Sequence, residues 1–275
     1  MHLPPLSAGQ QLRGVKWRGS WLPPPGVDRR VLNVLIAQVH QHVARALQSD
    51  FKLRWRQVRP IWIVCGARHT IRATLAELGL EQGAPETPAA LYAAGLRIVF
   101  VGGDPGEQWF RSALVHEICH ALCDSVGCLE SRQPWAYEGY ARFVGHQAAP
   151  NRLEHVLRCF SLVRNRFGAY ATSLQRIVSA DDSYRASGQC PPGSELVIRY
   201  LRHERPRLPQ VWQVVRRALF GELLPGAPTI ASLENAFGQT MAQIDRNFLA
   251  YCDQLAGSLG MPTRTPAVRP GLAGD

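Results

Sequence analysis

Residues 109–123 read Trp-Phe-Arg-Ser-Ala-Leu-Val-His-Glu-Ile-Cys-His-Ala-Leu-Cys. No glycine or proline occurs between Glu107 and Val126, and most side chains in this stretch are apolar. Both properties favour a continuous, buried helix. Asp104-Pro105-Gly106-Glu107 contains residues that commonly begin a helix, and Gly127 is typical of a helix end. The sequence therefore predicts a helix between these two signals, with the rest of the fold arranged around it.

Two histidines of this predicted helix are placed to bind a metal ion. His116 and His120 are four residues apart, so their side chains project from the same helix face. Glu117 lies one step round the helix, where its carboxylate can act as general base on a water molecule at the metal. Asp124, four residues beyond His120, is open to three interpretations: an alternative third ligand, a carboxylate that orients a histidine, or a surface residue. Taken alone, the motif is equally compatible with two histidines that form ordinary hydrogen bonds.

A carboxylate that would complete the site stands at Glu138, eighteen positions after His120. Its surroundings, residues 135–141, read Trp-Ala-Tyr-Glu-Gly-Tyr-Ala, and Pro134 is suited to begin a second helix. Gly139 would allow this second helix to approach the motif helix closely. Two imidazoles and one carboxylate are a ligand set typical of a zinc site with an open coordination position.

Together, these two stretches resemble the gluzincin branch of the zinc metallopeptidases, and most closely its small peptidase-MA-like bacterial domains. Trp135, Glu138, Gly139 and Ala141 match the Trp-x-x-Glu-Gly-x-Ala setting of the gluzincin third ligand. The resemblance covers about residues 28–255, and its specific motifs lie within 116–141.

The resemblance implies a zinc-dependent hydrolase that acts on a peptide or protein substrate. One Zn²⁺ ion would be bound by His116, His120 and Glu138, with Glu117 as the general base. Gluzincins also use a tyrosine or histidine of the later lobe to stabilise the oxyanion. The candidates for that role here are Tyr184 first, followed by Tyr200 and His203. Aminopeptidase specificity is not implied, because residues 95–102 lack the Gly-x-Met-x-Asn signature.

Apolar periodicity predicts an α+β fold. Helices are expected over residues 28–48 and 70–78, and strands over 58–65 and 96–101. From residue 151 the pattern is mainly helical, in the segments 151–166, 194–204, 208–220, 229–237 and 240–257. This order resembles a reduced thermolysin-like (gluzincin) catalytic lobe, with a small β-sheet and an active-site helix, followed by a mainly helical C-terminal lobe.

The same patterns divide the chain into four parts. Residues 1–27 form a Pro/Gly-rich N-terminal arm, 28–150 the zincin-like catalytic lobe, 151–258 the helical lobe, and 259–275 a flexible tail. In the gluzincin fold the strand before the motif helix lies at the sheet edge beside the cleft. Residues 96–103 are therefore expected to be that edge strand, which could bind an extended peptide by strand addition.

Composition restricts the cellular setting. The chain has 275 residues and is 46% hydrophobic, but no run of 18 apolar residues occurs and the N-terminus has no secretory signal pattern. Seven cysteines, an odd number with no Cys-x-x-Cys pair, are typical of a reducing compartment. We therefore expect a cytoplasmic protein with no membrane association. Cys65, Cys119 and Cys123 lie in apolar surroundings and are predicted to be buried free thiols.

The net charge of +10 favours anionic partners. Two basic clusters, within residues 52–59 and 199–207, contain arginine next to aromatic residues, as in some nucleic-acid-binding surfaces. The alternation of basic and apolar residues within 52–57 favours a solvated face instead. The alternatives to a zinc metallopeptidase are therefore a catalytically inactive gluzincin-like binding or scaffold domain, and, less favoured, a basic nucleic-acid-binding protein.

Overall fold

A computed structural model describes the following parts of the chain: residues 11–12, 15–21, 28–53, 58–80, 90–126, 133–148, 152–167, 172–179, 190–223 and 226–261. These parts form a small sheet covered by helices, followed by a mainly helical region. At this level the α+β prediction is confirmed. Gly127, Tyr184 and the end of the predicted tail, residues 262–275, lie outside the described residues.

The described strands are β1 (Gln11–Leu12), β2 (Val15–Trp21), β3 (Val58–Gly66), β4 (Ala90–Ala93) and β5 (Ile98–Gly102). The first five described helices are α1 (Arg29–Phe51), α2 (Arg68–Glu77), α3 (Gln108–Asp124), α4 (Pro134–Gln147) and α5 (Arg152–Phe167). They are followed by α6 (Leu174–Val178), α7 (Cys190–Glu204), α8 (Pro209–Leu219), α9 (Ala227–Phe237) and α10 (Met241–Ser258).

The sheet has the strand order β1-β2-β3-β5-β4. Strands β2, β3 and β5 are parallel, whereas β4 pairs antiparallel with β5, with Tyr92 opposite Val99. The expectation that residues 96–103 form the edge strand is therefore wrong, because β5 lies between β3 and β4. A tight turn at 94–97 returns the chain from β4 to β5, so the edge position falls to the strand that precedes β5.

Part of the N-terminal segment belongs to the sheet. The backbone of β2 pairs with β3 over most of its length, with Gly19 opposite Ile63 and Trp21 opposite Cys65. Its Pro/Gly content had indicated an arm over residues 1–27, with no strand expected there. The parallel pairing of β2 with β3 requires a crossover between them, and α1 provides it.

Helices cover both faces of the sheet because the side chains of β3 alternate between two apolar clusters. Ile61, Ile63 and Cys65 point into the main core with α1 and α3. Trp62 and Val64 point to the other face, where the apolar side of α2 packs through Ile71 and Leu75. The motif helix α3 is therefore held directly against the sheet, beneath β4 and β5.

The helical region is built around α7, whose residues 196–198 and 200–201 are buried. Its closest neighbour is α4, and one continuous hydrophobic cluster extends from α1 through α4 and α7 to α10. Cys65, Cys119 and Cys123 are buried free thiols within this cluster, as predicted. None of the helices in the described parts is long and apolar enough to cross a membrane.

The second basic cluster is largely neutralised by internal ion pairs. Arg199 binds the fully buried carboxylate of Glu195, one helical turn earlier. Arg202 and Arg205 both bind Asp50 at the end of α1. Arg202 and Arg205 thus join this segment to α1, whereas the Arg199 pair lies within α7, and none of the three guanidinium groups forms a free basic surface. Of the first cluster, only the Lys52 side chain lies within the described residues.

Candidate metal centre

Helix α3 brings His116 and His120 together, as their spacing predicts. Their Nε2 atoms are 3.0 Å apart, and the two rings are nearly perpendicular, with centroids 4.5 Å apart. The helix can carry polar groups in the core because its other faces are apolar, with Leu114, Val115 and Ile118 buried. His120 is itself buried, while the His116 side chain retains 18% exposure. The site is therefore open to solvent on the side of His116.

Helix α4 supplies the third group of the cluster. Glu138 Oε2 lies 3.4 Å from His116 Nε2, and Glu138 Oε1 lies 3.6 Å from His120 Nε2. Pro134 occupies the first turn of α4, as expected for a helix start. This start leaves Glu138 one turn inside the helix, on the side that faces α3.

The three groups fit a zinc ion. Zinc binds imidazole nitrogen at about 2.0–2.1 Å and carboxylate oxygen at about 2.0–2.2 Å, and tetrahedral geometry then requires ligand atoms about 3.3–3.5 Å apart. The observed separations of 3.0, 3.4 and 3.6 Å lie around that range. One ion between His116, His120 and Glu138 would need only small side-chain adjustments.

The two imidazoles also determine the charge state of Glu138. Burial alone would raise the pKa of this carboxyl group. The charges and hydrogen bonds of His120 and His116 outweigh that effect and hold the pKa of Glu138 well below its usual range. Glu138 is thus an anion, which is the form that a metal ligand requires.

Glu117 is directed to the sheet edge. Its carboxylate is buried, and Oε2 accepts a hydrogen bond of 2.8 Å from the backbone N–H of Tyr92 in β4. One carboxylate oxygen of Glu117 and one ring nitrogen each of His116 and His120 all lie within 4.8 Å of one another. A base in this position is anchored by the backbone and remains next to the histidines.

Burial makes Glu117 a much weaker acid than an exposed glutamate. It raises the pKa of Glu117 to about 7, and the negative charge of Glu138 acts in the same direction. His116, the Tyr92 N–H and Arg142 act in the opposite direction. A carboxyl group with a pKa near neutrality can both accept and return a proton, as a general acid–base catalyst must.

Tyr137 and Asp124 support His120. The Tyr137 ring stacks on the imidazole, with centroids 4.0 Å apart and an angle of 27° between the planes. The Tyr137 hydroxyl donates a hydrogen bond of 3.3 Å to Asp124 Oδ1. Within the described part of the chain, Nδ1 of His120 is buried and has no hydrogen-bond partner. Stacking therefore orients this ring, with Asp124 acting indirectly through Tyr137.

Two glycines of α4 permit close helix contacts, but not in the way predicted from the sequence. A Cβ on Gly139 would lie 2.5 Å from the carbonyl oxygen of Ser194, so this glycine faces α7 rather than α3. Gly145 is the glycine that meets α3, where a Cβ would lie 3.1 Å from the carbonyl oxygen of Ser112 and 3.7 Å from His116 Cβ. The expectation that Gly139 approaches α3 is therefore wrong, because Glu138 occupies the face of α4 toward α3.

The candidates for oxyanion stabilisation are not brought to the cluster within the described residues. Tyr184 lies outside those residues. Tyr200 is buried and stacks on Phe237 in the core. His203 is more than half exposed and packs beside Tyr251.

Sequence reasoning missed three contributors to the site: the Tyr92 backbone, the Tyr137 ring and the charge of Arg142. A backbone donor has no residue signature, so Tyr92 could not be found from the sequence. Tyr137 and Arg142 were detectable in principle. Tyr137 immediately precedes Glu138, and Arg142 lies one helical turn after it on the same face.

Comparison with known proteins adds no relative: no protein-family model matches the chain, and no curated protein matches it.

Proposed function

We propose that the protein is a zinc-dependent metallopeptidase. The observation that supports this most strongly is the convergence of two imidazole nitrogens and one carboxylate, with separations of 3.0, 3.4 and 3.6 Å. Three protein ligands from two helices leave a coordination position free for water or substrate, as in hydrolytic rather than structural zinc sites.

The protein groups would divide the reaction between them. A bound zinc ion would supply Lewis acidity toward a water molecule and the scissile carbonyl. Glu117 takes the proton from the attacking water and delivers it to the leaving amine. The Tyr92 N–H keeps the Glu117 carboxylate in place for both transfers.

Two observations favour a peptide as the substrate. The first is the resemblance of residues 135–141 to the third-ligand helix of the gluzincins. The second is the position of β4, which contacts α3 and, within the described residues, pairs only with β5. Apart from the Tyr92 N–H, which donates to Glu117, the backbone groups of its other edge can pair with an extended chain. The strand proposed to bind an extended substrate is therefore β4, and not residues 96–103.

Metal analysis of the purified protein tests the ligand set. We expect one zinc per chain in the wild type and less than a tenth of that after dialysis in His116→Ala and Glu138→Ala. His69→Ala, on the exposed side of α2, is the matched control and should keep its zinc. Full zinc retention in Glu138→Ala would contradict the proposed site.

Activity on a fluorescently labelled denatured protein tests the reaction. Glu117→Gln should bind zinc normally but cleave at least about a hundredfold more slowly, because general base catalysis is lost. A wild-type protein that binds zinc stoichiometrically and cleaves no peptide or protein would overturn the peptidase proposal. That result would favour a metal-binding scaffold domain instead.

A further inference from the structure

The outer face at the C-terminal end of α1 carries a groove that has no role in the metal centre. It is lined by Arg45, Gln48, Ser49, Lys52 and Leu53, and its volume is about 430 Å³. That volume is within the range of sites for small ligands. We refer to these five residues as the α1 groove.

The charges of the α1 groove have no acidic partner among the described residues. Arg45 and Lys52 are exposed, and neither forms an ion pair within the described parts of the chain. None of the residues that line the groove is acidic. The nearby carboxylate of Asp50 is directed inward, where Arg202 and Arg205 bind it at 2.6 and 3.0 Å. Within the described residues, two cations at one end of a single helix thus lack an ion-pair partner.

The backbone at Lys52 is unusual for a lysine. Its φ of 56° places it in the left-handed region, at the position that caps the C-terminus of α1. Glycine normally occupies such a cap, and a residue with a Cβ costs about 1 kcal/mol or more there. Arg97 is the only other non-glycine residue with positive φ in the described chain. The C-cap of α1 is therefore a lysine whose left-handed backbone costs conformational energy.

We propose that the α1 groove binds a phosphoryl group of a small phosphorylated molecule. The Arg45 guanidinium can contact two phosphate oxygens at once, and the Lys52 ammonium supplies a point charge. The Gln48 amide and the Ser49 hydroxyl are further donors, and Leu53 provides an apolar wall for the rest of the ligand. This proposal does not depend on the metal centre, because the two sites share no residue.

Titration calorimetry with inorganic phosphate and adenosine monophosphate tests the groove. It should be done on the full chain, both as purified and after metal removal, because an anion could also bind at a zinc ion. We expect saturable binding in both preparations. Arg45→Gln and Lys52→Gly should each weaken it about tenfold, as expected for loss of a charge-assisted hydrogen bond. Arg72→Gln, at an exposed position on α2, should bind like the wild type.

Lys52→Gly separates binding from folding. Because glycine relieves the left-handed strain, this variant should unfold about 2–4 °C higher than the wild type while losing phosphate affinity. Wild-type affinity in both groove variants, or no saturation with either probe, would overturn the proposal.

A single-stranded deoxythymidylate ten-mer identifies the source of the phosphoryl group. The small-ligand proposal expects adenosine monophosphate to compete with the ten-mer at equal phosphate concentration. Binding of the ten-mer alone, with a steep decrease as salt rises, would overturn it in favour of a nucleic-acid backbone.

Discussion

At the scale of single residues, Glu117 combines two requirements that oppose each other. Its proposed role as general base requires a pKa near neutral pH, and burial raises the pKa of Glu117 to about 7. Burial also makes the ionised form costly in the folded protein. The Tyr92 N–H recovers part of that cost and fixes the carboxylate orientation. Without metal, ionisation of the buried Glu117 carboxyl group therefore destabilises the folded protein at neutral pH.

This conflict predicts that Glu117→Gln stabilises the metal-free protein in a pH-dependent way. The pKa of Glu117 in the folded protein, about 7, lies above its ordinary value of 4.5, so between pH 4.5 and 7 the folded state binds more protons than the unfolded state. The contribution of Glu117 to wild-type stability must then fall as pH rises from 4.5 to 7 and stay level above it. The stability difference should grow to roughly 3 kcal/mol over that window.

Urea unfolding of the chelator-treated proteins at several pH values measures this difference. Glu77→Gln, at an exposed position on α2, is the matched control. A difference that is the same at pH 4.5 and pH 8 would contradict the burial of an ionised Glu117.

The Tyr137 ring makes a separate prediction about His120. Because the described structure orients this imidazole by stacking, Tyr137→Ala should lower zinc affinity by about 10–100-fold, as is usual for groups that support metal ligands. Tyr137→Phe keeps the ring and loses the hydrogen bond to Asp124, so its affinity should stay within about threefold of wild type. Competition with a chromophoric chelator measures both. Equal losses in the two variants would show that the hydroxyl, and not the stack, supports His120.

At the scale of helices and strands, α4 is held from two sides. Glu138 and Gly145 face α3, whereas Gly139 lies against the backbone of α7 at Ser194. The proposed third ligand, Glu138, is thus positioned by a helix that is tightly packed on both flanks. A shift of α4 by a few tenths of an ångström would change the separations between Glu138 and the two histidines of the candidate site.

Gly139→Ala tests this packing. The new methyl group would lie 2.5 Å from the Ser194 carbonyl oxygen, which is backbone and cannot rotate away. We expect a loss of about 1–3 kcal/mol in the free energy of unfolding, together with weaker zinc binding. Gly257→Ala, at an exposed position in α10, should instead be neutral or stabilising by up to about 1 kcal/mol. Wild-type stability in Gly139→Ala would show that α4 and α7 are less closely packed.

The elements differ in how far they could be predicted from the sequence. Long amphipathic segments were predictable: residues 28–48 were assigned to a helix that extends over Arg29–Phe51, and α4 begins at Pro134 as expected. Strand β4 was not, because Ala-Leu-Tyr-Ala has no distinctive pattern and depends on pairing with β5. Strand β2 did carry a signal, since Val15, Trp17 and Trp21 alternate with polar or small residues.

In the candidate site, too, local features were predictable from the sequence and long-range contacts were not. Helical spacing was enough to place His116 beside His120, and the Trp-x-x-Glu-Gly-x-Ala context was enough to select Glu138. The contact between Glu117 and β4 depends on which strand forms the edge, a long-range property that no local pattern contains. The partner of Gly139 was likewise decided by the packing of a helix more than 50 residues further along the chain.

At the scale of the whole molecule, Asp50 connects the sheet-bearing part to the helical region. Its side chain is only 2% exposed and binds Arg202 and Arg205 of the segment around the end of α7. It also accepts a hydrogen bond of 3.0 Å from the Tyr140 hydroxyl in α4. Helix α1, which crosses over from β2 to β3, is thereby fixed to the helix that carries Glu138.

We therefore expect Asp50→Ala to destabilise both parts together. Removing one partner of a buried ion pair costs about 3–5 kcal/mol, and the partial exposure of the two arginines places this case near the lower value of about 3 kcal/mol. Glu154→Ala removes an exposed pair on α5 and should cost no more than about 0.5 kcal/mol. Urea unfolding followed by tryptophan fluorescence and far-UV circular dichroism should show the two transitions shifting in parallel, because one hydrophobic cluster joins both parts. If one signal shifted and the other stayed in place, the two parts would unfold independently and Asp50 would not connect them.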